Sequence, residues 1–512
     1  KKDGVSLGNK THYQHHGGWF ARNGYVCLVI DTLQLGEIEG IHHGTYRYNR
    51  WWWNARGYTS AGVEAWNCIR ALDYLQSRPE VDGTRLAVTG RSGGGAYSWW
   101  IAALDERIQC AVPVAGITSL HNHVIDGCVE GHCDCMFMVN TFRWDYPTVA
   151  ALVAPRPLLI SNTDKDSIFP LEGVVDIHKQ VRHIYELYGR GNQLGLQITE
   201  GPHKDTQELR VHAFRWINRF LRKTDELVTT TAVPLFEQAD LRVFETLPAD
   251  ERNTSIDETF TLMAAGSIGP DDPEQARHVL REMSFRAWPD NDASWQPPTD
   301  MRSEQLPFRM QQPGLSLEMT RLHFSSQNHV PLFVDVVHAS GTTPRDWKTV
   351  RLVAGDESLW EETQKFSAGE PLDQPLSPEI RAWLEETKTV GTVIAFFFPR
   401  GTGPQAWNGD EKKQIQIQRR FQLLGMTPDG MRTWDIRRAV QVLRQTVPES
   451  SHLTLTSHGN NGLLVLLASL FEPTVSKVDV SSLPDDRGMQ PVILNFSRFA
   501  TAETIQRLVT GQ

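Results

Sequence analysis

Apolar runs alternate with amphipathic segments along the first 224 residues of the chain. The run YVCLVID (25–31) has no polar alternation, which predicts a strand buried on both faces of a sheet. Similar strand-like runs follow it: RLAVTG, QCAVPVAG, RPLLISNTD and LGLQITEGPH. Segments with helical spacing separate them: THYQHHGGWFAR, AGVEAWNCIRALDYLQSRP, AYSWWIAALDERI and TQELRVHAFRWINRFLRK. This alternation predicts an α/β domain with a mainly parallel sheet over residues 1–224.

Length and charge narrow the class of protein. A chain of 512 residues predicts at least two domains. Its 40% hydrophobic and 22% charged residues are typical of a soluble globular protein. A net charge of -10 without a long basic run argues against nucleic acid as a partner. No run of 18 apolar residues suggests a membrane span.

The first residues, KKDGVSLGNK, contain no hydrophobic segment of the kind a signal peptide needs. The compartment and the oligomeric state stay open. We expect a secreted or periplasmic protein if a leader has been lost upstream.

Ser92 lies in the most informative short motif. Gly90-Arg91-Ser92-Gly93-Gly94 is a G-x-S-x-G pattern between a predicted strand and a predicted helix, where a nucleophile elbow occurs. Gly90 and Gly94 would let strand and helix approach closely, and the Gly93 amide would point at the oxyanion. A glycine-rich turn that only packs, or that binds phosphate, is the alternative.

Partners for such a serine follow in the required chain order. Asp164 and Asp166 come after the strand-like run RPLLISN, and His203 comes after the last one. A serine hydrolase of this fold has its acid and then its histidine at these strand ends. The sequence therefore predicts a triad of Ser92, His203 and one of the two aspartates.

Residues 1 to about 224 resemble the α/β-hydrolases, and within them the acetyl xylan esterase and dienelactone hydrolase branch. The segments that carry the resemblance are FARNGYVCLVIDTLQLGE, GRSGGG, NTDKDSIFP and EGPHKD. The resemblance implies a D-x-x-x-P acid motif, which Asp166 and Pro170 match. It also implies a carboxylic-ester hydrolase, often acting on acylated carbohydrate, with no metal or organic cofactor.

One departure from the family pattern concerns the N-terminal side. The family sheet begins with strands that precede the helix at residue 11, whereas only ten residues precede it here. We expect that the chain lacks its natural N-terminus, and the second oxyanion donor has no assigned residue.

Two insertions leave the predicted active-site edge. The first carries Trp51, Trp52 and Trp53, which either contact a sugar or acyl group or pack as the core of their own loop. Arg91, inside the elbow, is a further candidate for substrate binding. The second insertion has several histidines and cysteines: His121, His123, Cys128, His132, Cys133 and Cys135. Their spacing differs from paired C-x-x-C zinc motifs, so we expect no metal and favour buried thiols, a disulfide or a substrate wall.

The second half of the chain contains a partial repeat of the first. Residues 225–314 are rich in Pro, Asp and Asn and predict a connector with short helices. Beyond it, the segment from TWDIRRAVQVLRQ to LLVLLASL aligns with residues around Ser92, and Gly459 takes the place of the serine. We interpret residues 315–512 as a degenerate α/β-hydrolase-like domain without a nucleophile. An unrelated α/β domain is the alternative.

The function predicted from the sequence is that of a serine esterase that removes small acyl groups from carbohydrate through an acyl-enzyme. Its partner would be a small-molecule or oligosaccharide ester. A prolyl-oligopeptidase-like peptidase and a noncatalytic carbohydrate-binding protein are the alternatives.

Overall fold

The computed structural model forms two compact units. One contains the residues up to 53 and 58–262, and the other contains 54–57 and the residues from 263 onward. The predicted connector is therefore divided: its first part belongs to the first unit, and residues 302–306 are a strand of the second. The structure describes residues 7–41, 43–136, 138–259, 268–269, 271–308, 311–312, 315–367, 376–480, 483 and 491–511.

The first unit is built around a four-stranded parallel sheet with the order β1-β2-β3-β4. The strands are β1 (Leu86–Arg91), β2 (Ile108–Val114), β3 (Leu158–Thr163) and β4 (Leu194–Thr199). The longer helices are α1 (Gln14–Arg22), α2 (Ser60–Ser77), α3 (Gly93–Leu104), α4 (Leu171–Leu187) and α5 (Gln207–Ile217). Because all four strands run in one direction, their carboxyl ends lie along one edge.

Helices cover both faces of this sheet. Cys110 and Val112 of β2 pack in one apolar cluster with Trp19 and Phe214, from α1 and α5. Ala111, between them in the sequence, packs in a second cluster that contains residues of α3 and α4. Burial on both faces explains why residues 110–114 of β2 and 158–160 of β3 are apolar without alternation.

The predicted strand at residues 25–31 is wrong. These residues have no strand assignment, and Val26 and Leu28 are 51% and 39% exposed. The physical reason is the absence of a pairing partner among the described residues, since β1 is an edge of the sheet and pairs with β2 alone. An apolar run forms a strand only where its backbone groups can bond to a neighbour.

The second unit has a larger, mixed sheet with the order β12-β11-β9-β10-β8-β7-β5. Its strands are β5 (Arg302–Leu306), β6 (Gln311–Gln312), β7 (Leu315–Gln327), β8 (Val330–Ala339), β9 (Thr349–Ala354), β10 (Thr392–Phe397), β11 (His452–Ser457) and β12 (Lys477–Asp479). Its longer helices are α6 (Pro273–Met283), α7 (Glu357–Ser367), α8 (Pro378–Glu386), α9 (Glu411–Leu423), α10 (Pro428–Thr446), α11 (Gly462–Phe471) and α12 (Ala502–Thr510). Strands β9 to β12 are parallel to their neighbours within that group.

The repeat seen in the sequence has a counterpart in the order of elements. Helix α10, strand β11 and helix α11 follow one another as α2, β1 and α3 do. In the second unit β9 lies between β10 and β11 and pairs with both. No described strand takes the matching place between residues 25–31 and β1 of the first unit, which is why that segment is unpaired.

Across the described ranges, no helix combines the length and the apolar character that crossing a bilayer requires.

Candidate active site

Ser92 occupies a strained turn between β1 and α3. Its backbone has φ 60° and ψ -117°, a combination that costs a non-glycine residue on the order of 1–3 kcal/mol. The Ser92 amide donates to the carbonyl of Val114 at 3.0 Å, which ties the turn to β2. The conformation required of a nucleophile elbow is therefore present at Ser92.

Close backbone approach explains two of the surrounding glycines. A Cβ on Gly90 would lie 2.6 Å from the carbonyl oxygen of Gly94, and one on Gly95 would lie 2.4 Å from that of Val114. A Cβ on Gly94 would have no heavy atom within 4 Å. The expectation that Gly94 is needed for close approach is wrong, because Gly95 is the residue that faces β2.

Asp166 and His203 form a close pair at the carboxyl ends of β3 and β4. His203 Nδ1 lies 2.7 Å from Asp166 Oδ2, and the Asp166 side chain is fully buried. Asp166 Oδ1 accepts hydrogen bonds from the amides of Ile168 and Phe169, both at 2.9 Å. These bonds fix the carboxylate in the orientation in which it can hold an imidazole.

Asp164 makes its contacts with the backbone of neighbouring residues. Its Oδ1 accepts from the amide of Gly201 at 2.8 Å, and its own amide donates to the carbonyl of Thr199. Asp164 therefore joins the two loops that carry Asp166 and His203 and has no described contact with the imidazole.

The Ser92 hydroxyl lies 3.6 Å from Met136 Sδ. Among the hydrogen bonds of the described residues there is none between Ser92 and His203. Arg91 links the two parts of the site instead, since its guanidinium donates to the carbonyl of His203 at 3.3 Å and to Tyr13 Oη at 3.1 Å. The sequence did not indicate Met136 or Tyr13, because neither belongs to a motif.

A cavity of about 440 Å³ lies beside the nucleophile turn. Ser92 and Gly93 line it, together with residues 27–30 and 87–91, while His203 is not part of its lining. Gly93 is the first residue of α3, which is where an amide can serve as an oxyanion donor. The oxyanion role of Gly93 stays a prediction.

The tryptophan insertion is mostly packed. Trp51 and Trp53 are 6% and 0% exposed, so the prediction that they contact substrate is wrong. The Trp53 ring packs edge-on against Tyr58 at 4.7 Å, and Gly44 lies so close to it that a Cβ there would be 2.1 Å from the ring. Trp52 is partly exposed and stays a candidate.

Two thiols of the second insertion meet near the serine. Cys133 Sγ lies 2.6 Å from Cys135 Sγ because residues 133–136 form a turn, closed by the Met136 amide and the Cys133 carbonyl at 3.1 Å. The two thiols are largely buried, which is one of the arrangements expected from the sequence. Burial also raises the pKa of Glu64 to about 8. No motif in the sequence indicated Glu64, which occupies an ordinary helical position in α2.

Comparison with known proteins supports this description of the first unit. Residues 11–185 match the model of the prolyl oligopeptidase family, a stretch that includes Ser92 and Asp166 and ends before His203. A protein of Bacillus subtilis (strain 168) assigned as a hydrolase, YtaP, is 29% identical over 231 residues, 41% of this chain and 77% of that protein.

Two further similarities are to esterases. The acetyl esterase Axe7A of Xylanibacter ruminicola is 30% identical over 107 residues, which cover 18% of this chain and 24% of that protein. A solved glucuronoyl esterase of carbohydrate esterase family 15, from Caldicellulosiruptor kristjansonii, has a TM-score of 0.28 at 23% identity over 36% of this chain and 56% of that one. The chain thus spans about a quarter of the acetyl esterase and about half of the solved structure.

The parallel sheet and the strained serine turn define the class of fold of the first unit. This unit has an α/β-hydrolase fold, and over residues 11–185 the chain is similar to enzymes of the α/β-hydrolase superfamily. The predictions of this superfamily and of a hydrolytic enzyme are confirmed.

Proposed function

We propose that the protein is a serine carboxylic-ester hydrolase whose triad is Ser92, His203 and Asp166. The hydrogen bond between Asp166 and His203 carries the proposal, because it occurs at the strand edge that also presents Ser92. A buried carboxylate bonded to Nδ1 leaves Nε2 of the imidazole to act as the base. The strained turn at Ser92 supplies the third member.

In this mechanism the Ser92 side chain rotates away from Met136, and its hydroxyl gives a proton to His203 Nε2 while Oγ attacks the ester carbonyl. Catalytic hydrogen bonds are often long or absent without substrate, so the present rotamer is compatible with that role. The Gly93 amide stabilises the oxyanion. His203 then returns the proton to the leaving alcohol, and water cleaves the acyl-enzyme by the same route.

The proposed substrates are small acyl esters of carbohydrate. The acetyl esterase relative supports the acyl group. Trp52, the partly exposed member of the tryptophan run, offers an aromatic face to a sugar ring.

A substrate panel tests this choice. The panel compares acetylated xylan oligosaccharides, methyl glucuronate esters, feruloyl esters and p-nitrophenyl esters, with kcat/KM measured for each. We expect the acetylated oligosaccharides to rank first among the carbohydrate esters. Cleavage of simple aryl esters alone would reject the carbohydrate substrate while leaving the esterase in place.

A peptidase is the second candidate, and the family match over residues 11–185 favours it. Steady-state kinetics on a prolyl peptide amide and on acetylated oligosaccharides separate the two. Hydrolysis of the amide with a kcat/KM equal to or above that of acetylated oligosaccharides would make the protein a peptidase.

A further inference from the structure

Three side chains with donor atoms for soft metal ions meet near Ser92. They are His43, Cys133 and Cys135, and one donor atom of each lies within 4.8 Å of those of the other two. All three line the cavity onto which Ser92 and Gly93 open. An ion could therefore reach them from the cavity.

Local structure holds each of the three donors in place. The turn at 133–136 brings both thiols to one side of the chain. The amide of His43 donates to Gln34 Oε1 at 3.0 Å, and Nδ1 of the same imidazole lies 3.3 Å from that oxygen. A hydrogen-bond partner on one ring nitrogen is the usual device that orients a metal-binding histidine.

We propose that His43, Cys133 and Cys135 bind a thiophilic divalent cation, with zinc as the best fit, and leave one coordination position open to the cavity. Two thiolates and one imidazole are a known donor set of open zinc sites, in which water or a ligand takes the fourth position. Cys135 Sγ would lie 3.9 Å from a Cβ on Gly93, which places the site beside the nucleophile turn. None of the three ligands belongs to the proposed triad, so metal binding can be tested separately from ester hydrolysis.

Cobalt(II) binding to the full chain, reduced and freed of metal by a chelator, tests the site. Thiolate-bound cobalt gives an intense charge-transfer absorption and tetrahedral bands in the visible range. We expect one equivalent of cobalt to produce these bands and zinc to abolish them by displacement. The Cys133→Ser and Cys135→Ser variants should each weaken binding by about a hundredfold or more.

Cys128→Ser is the matched control. Cys128 lies in a separate cluster with His123 and His132, so its loss should leave the cobalt spectrum unchanged. Ser92→Ala should also bind cobalt normally, even if the proposed ester hydrolysis is wrong. Circular dichroism of each variant checks that it is folded.

Two results would overturn the proposal. The first is a reduced protein that gives no thiolate bands with cobalt. The second is loss of the bands in Cys128→Ser with retention in Cys133→Ser, which would place the ion in the other cluster.

Discussion

The guanidinium of Arg91 donates a hydrogen bond to the backbone carbonyl of His203 at 3.3 Å, although 112 residues separate them in the chain. Arg91 directly precedes Ser92, and its second bond goes to the hydroxyl of Tyr13. The same residue therefore belongs to the serine turn and holds the histidine loop. Its contacts suggest a positioning role in place of the substrate contact expected from the sequence.

Arg91→Met should lower kcat about tenfold and change KM less than about threefold, because the His203 loop loses a tether while the pocket keeps its shape. Arg91→Lys should recover part of the loss, since it keeps one donor. Tyr13→Phe is the control for the second bond and should have a smaller effect. Steady-state kinetics on an aryl ester give both constants, and a rise in KM at constant kcat would restore the substrate-binding role.

Asp166→Asn should lower kcat by about a thousandfold or more, because an amide cannot hold the His203 tautomer that accepts the serine proton. Asp164→Asn is the matched control. Its contacts are with Gly201 and Thr199, so its effect should stay within about tenfold. The opposite order of the two variants in ester hydrolysis would show that the acid has been misassigned.

Because the Glu64 carboxyl is buried, we expect the first unit to become less stable as the pH rises. The pKa of Glu64 is raised from 4.5 to about 8 by burial, so the folded protein holds a proton that the unfolded chain releases. The stabilisation from the protonated form is complete below about 4.5 and is lost as the pH rises through about 8, with a slope of at most about 1.4 kcal/mol per pH unit.

Glu64→Gln should remove this slope, since the amide stays neutral over the whole range. Thermal unfolding at pH 5, 7 and 8.5 measures it. Glu106→Gln, at an exposed position, is the control, and its thermal unfolding should show the same pH dependence as that of the unsubstituted protein. Parallel pH profiles for the original chain and Glu64→Gln would mean that Glu64 is ionised in the fold.

A substitution of His458 tests whether the second unit takes part in ester hydrolysis. His458 lies beside Gly459, and its Nδ1 is 3.0 Å from Asp356 Oδ1. We expect the turn to be inactive, because a Cβ on Gly459 would lie 1.9 Å from Asp356 Oδ2 and leaves no room for a serine. His458→Ala should therefore keep ester hydrolysis within about twofold of the original chain.

The same variant should lower stability by about 1 kcal/mol or less, because the pair is partly exposed. The hydrogen bond with Asp356 raises the pKa of His458 above 6.5. The stabilisation is complete below 6.5 and is lost as the pH rises through the raised value. Unfolding at pH 5.5 and 9 should thus show a difference that shrinks at the higher pH. In the activity measurement, a large loss of ester hydrolysis in His458→Ala would mean that the second unit contributes to catalysis.

Local patterns were enough to predict the elements that position the site. The apolar runs predicted strands β1 to β4, of which β2 and β3 are buried, and the glycines around Ser92 mark a turn whose conformation the chain adopts. Each of these features depends on neighbours in sequence or on burial alone. The sequence patterns predicted these elements correctly because the burial and the neighbouring residues on which such patterns depend are present in the fold.

Other features depend on tertiary contacts that no local pattern records. Residues 25–31 read as a buried strand but have no partner strand among the described residues, and Trp53 is buried because Gly44 and Tyr58 happen to surround it. Cys133 and Cys135 meet because the chain turns between them. Spacing rules that assume an extended segment could not indicate this.

Labelling with a fluorophosphonate probe tests the central claim most directly, because such probes react with a serine only when it is activated as a nucleophile. The full chain is treated with the probe, digested, and the modified peptide is identified by mass spectrometry, with Ser92→Ala and His203→Ala as controls. The account predicts one modification at Ser92, absent in Ser92→Ala and strongly slowed in His203→Ala. A folded protein that stays unmodified, or that is modified at another serine, would contradict it.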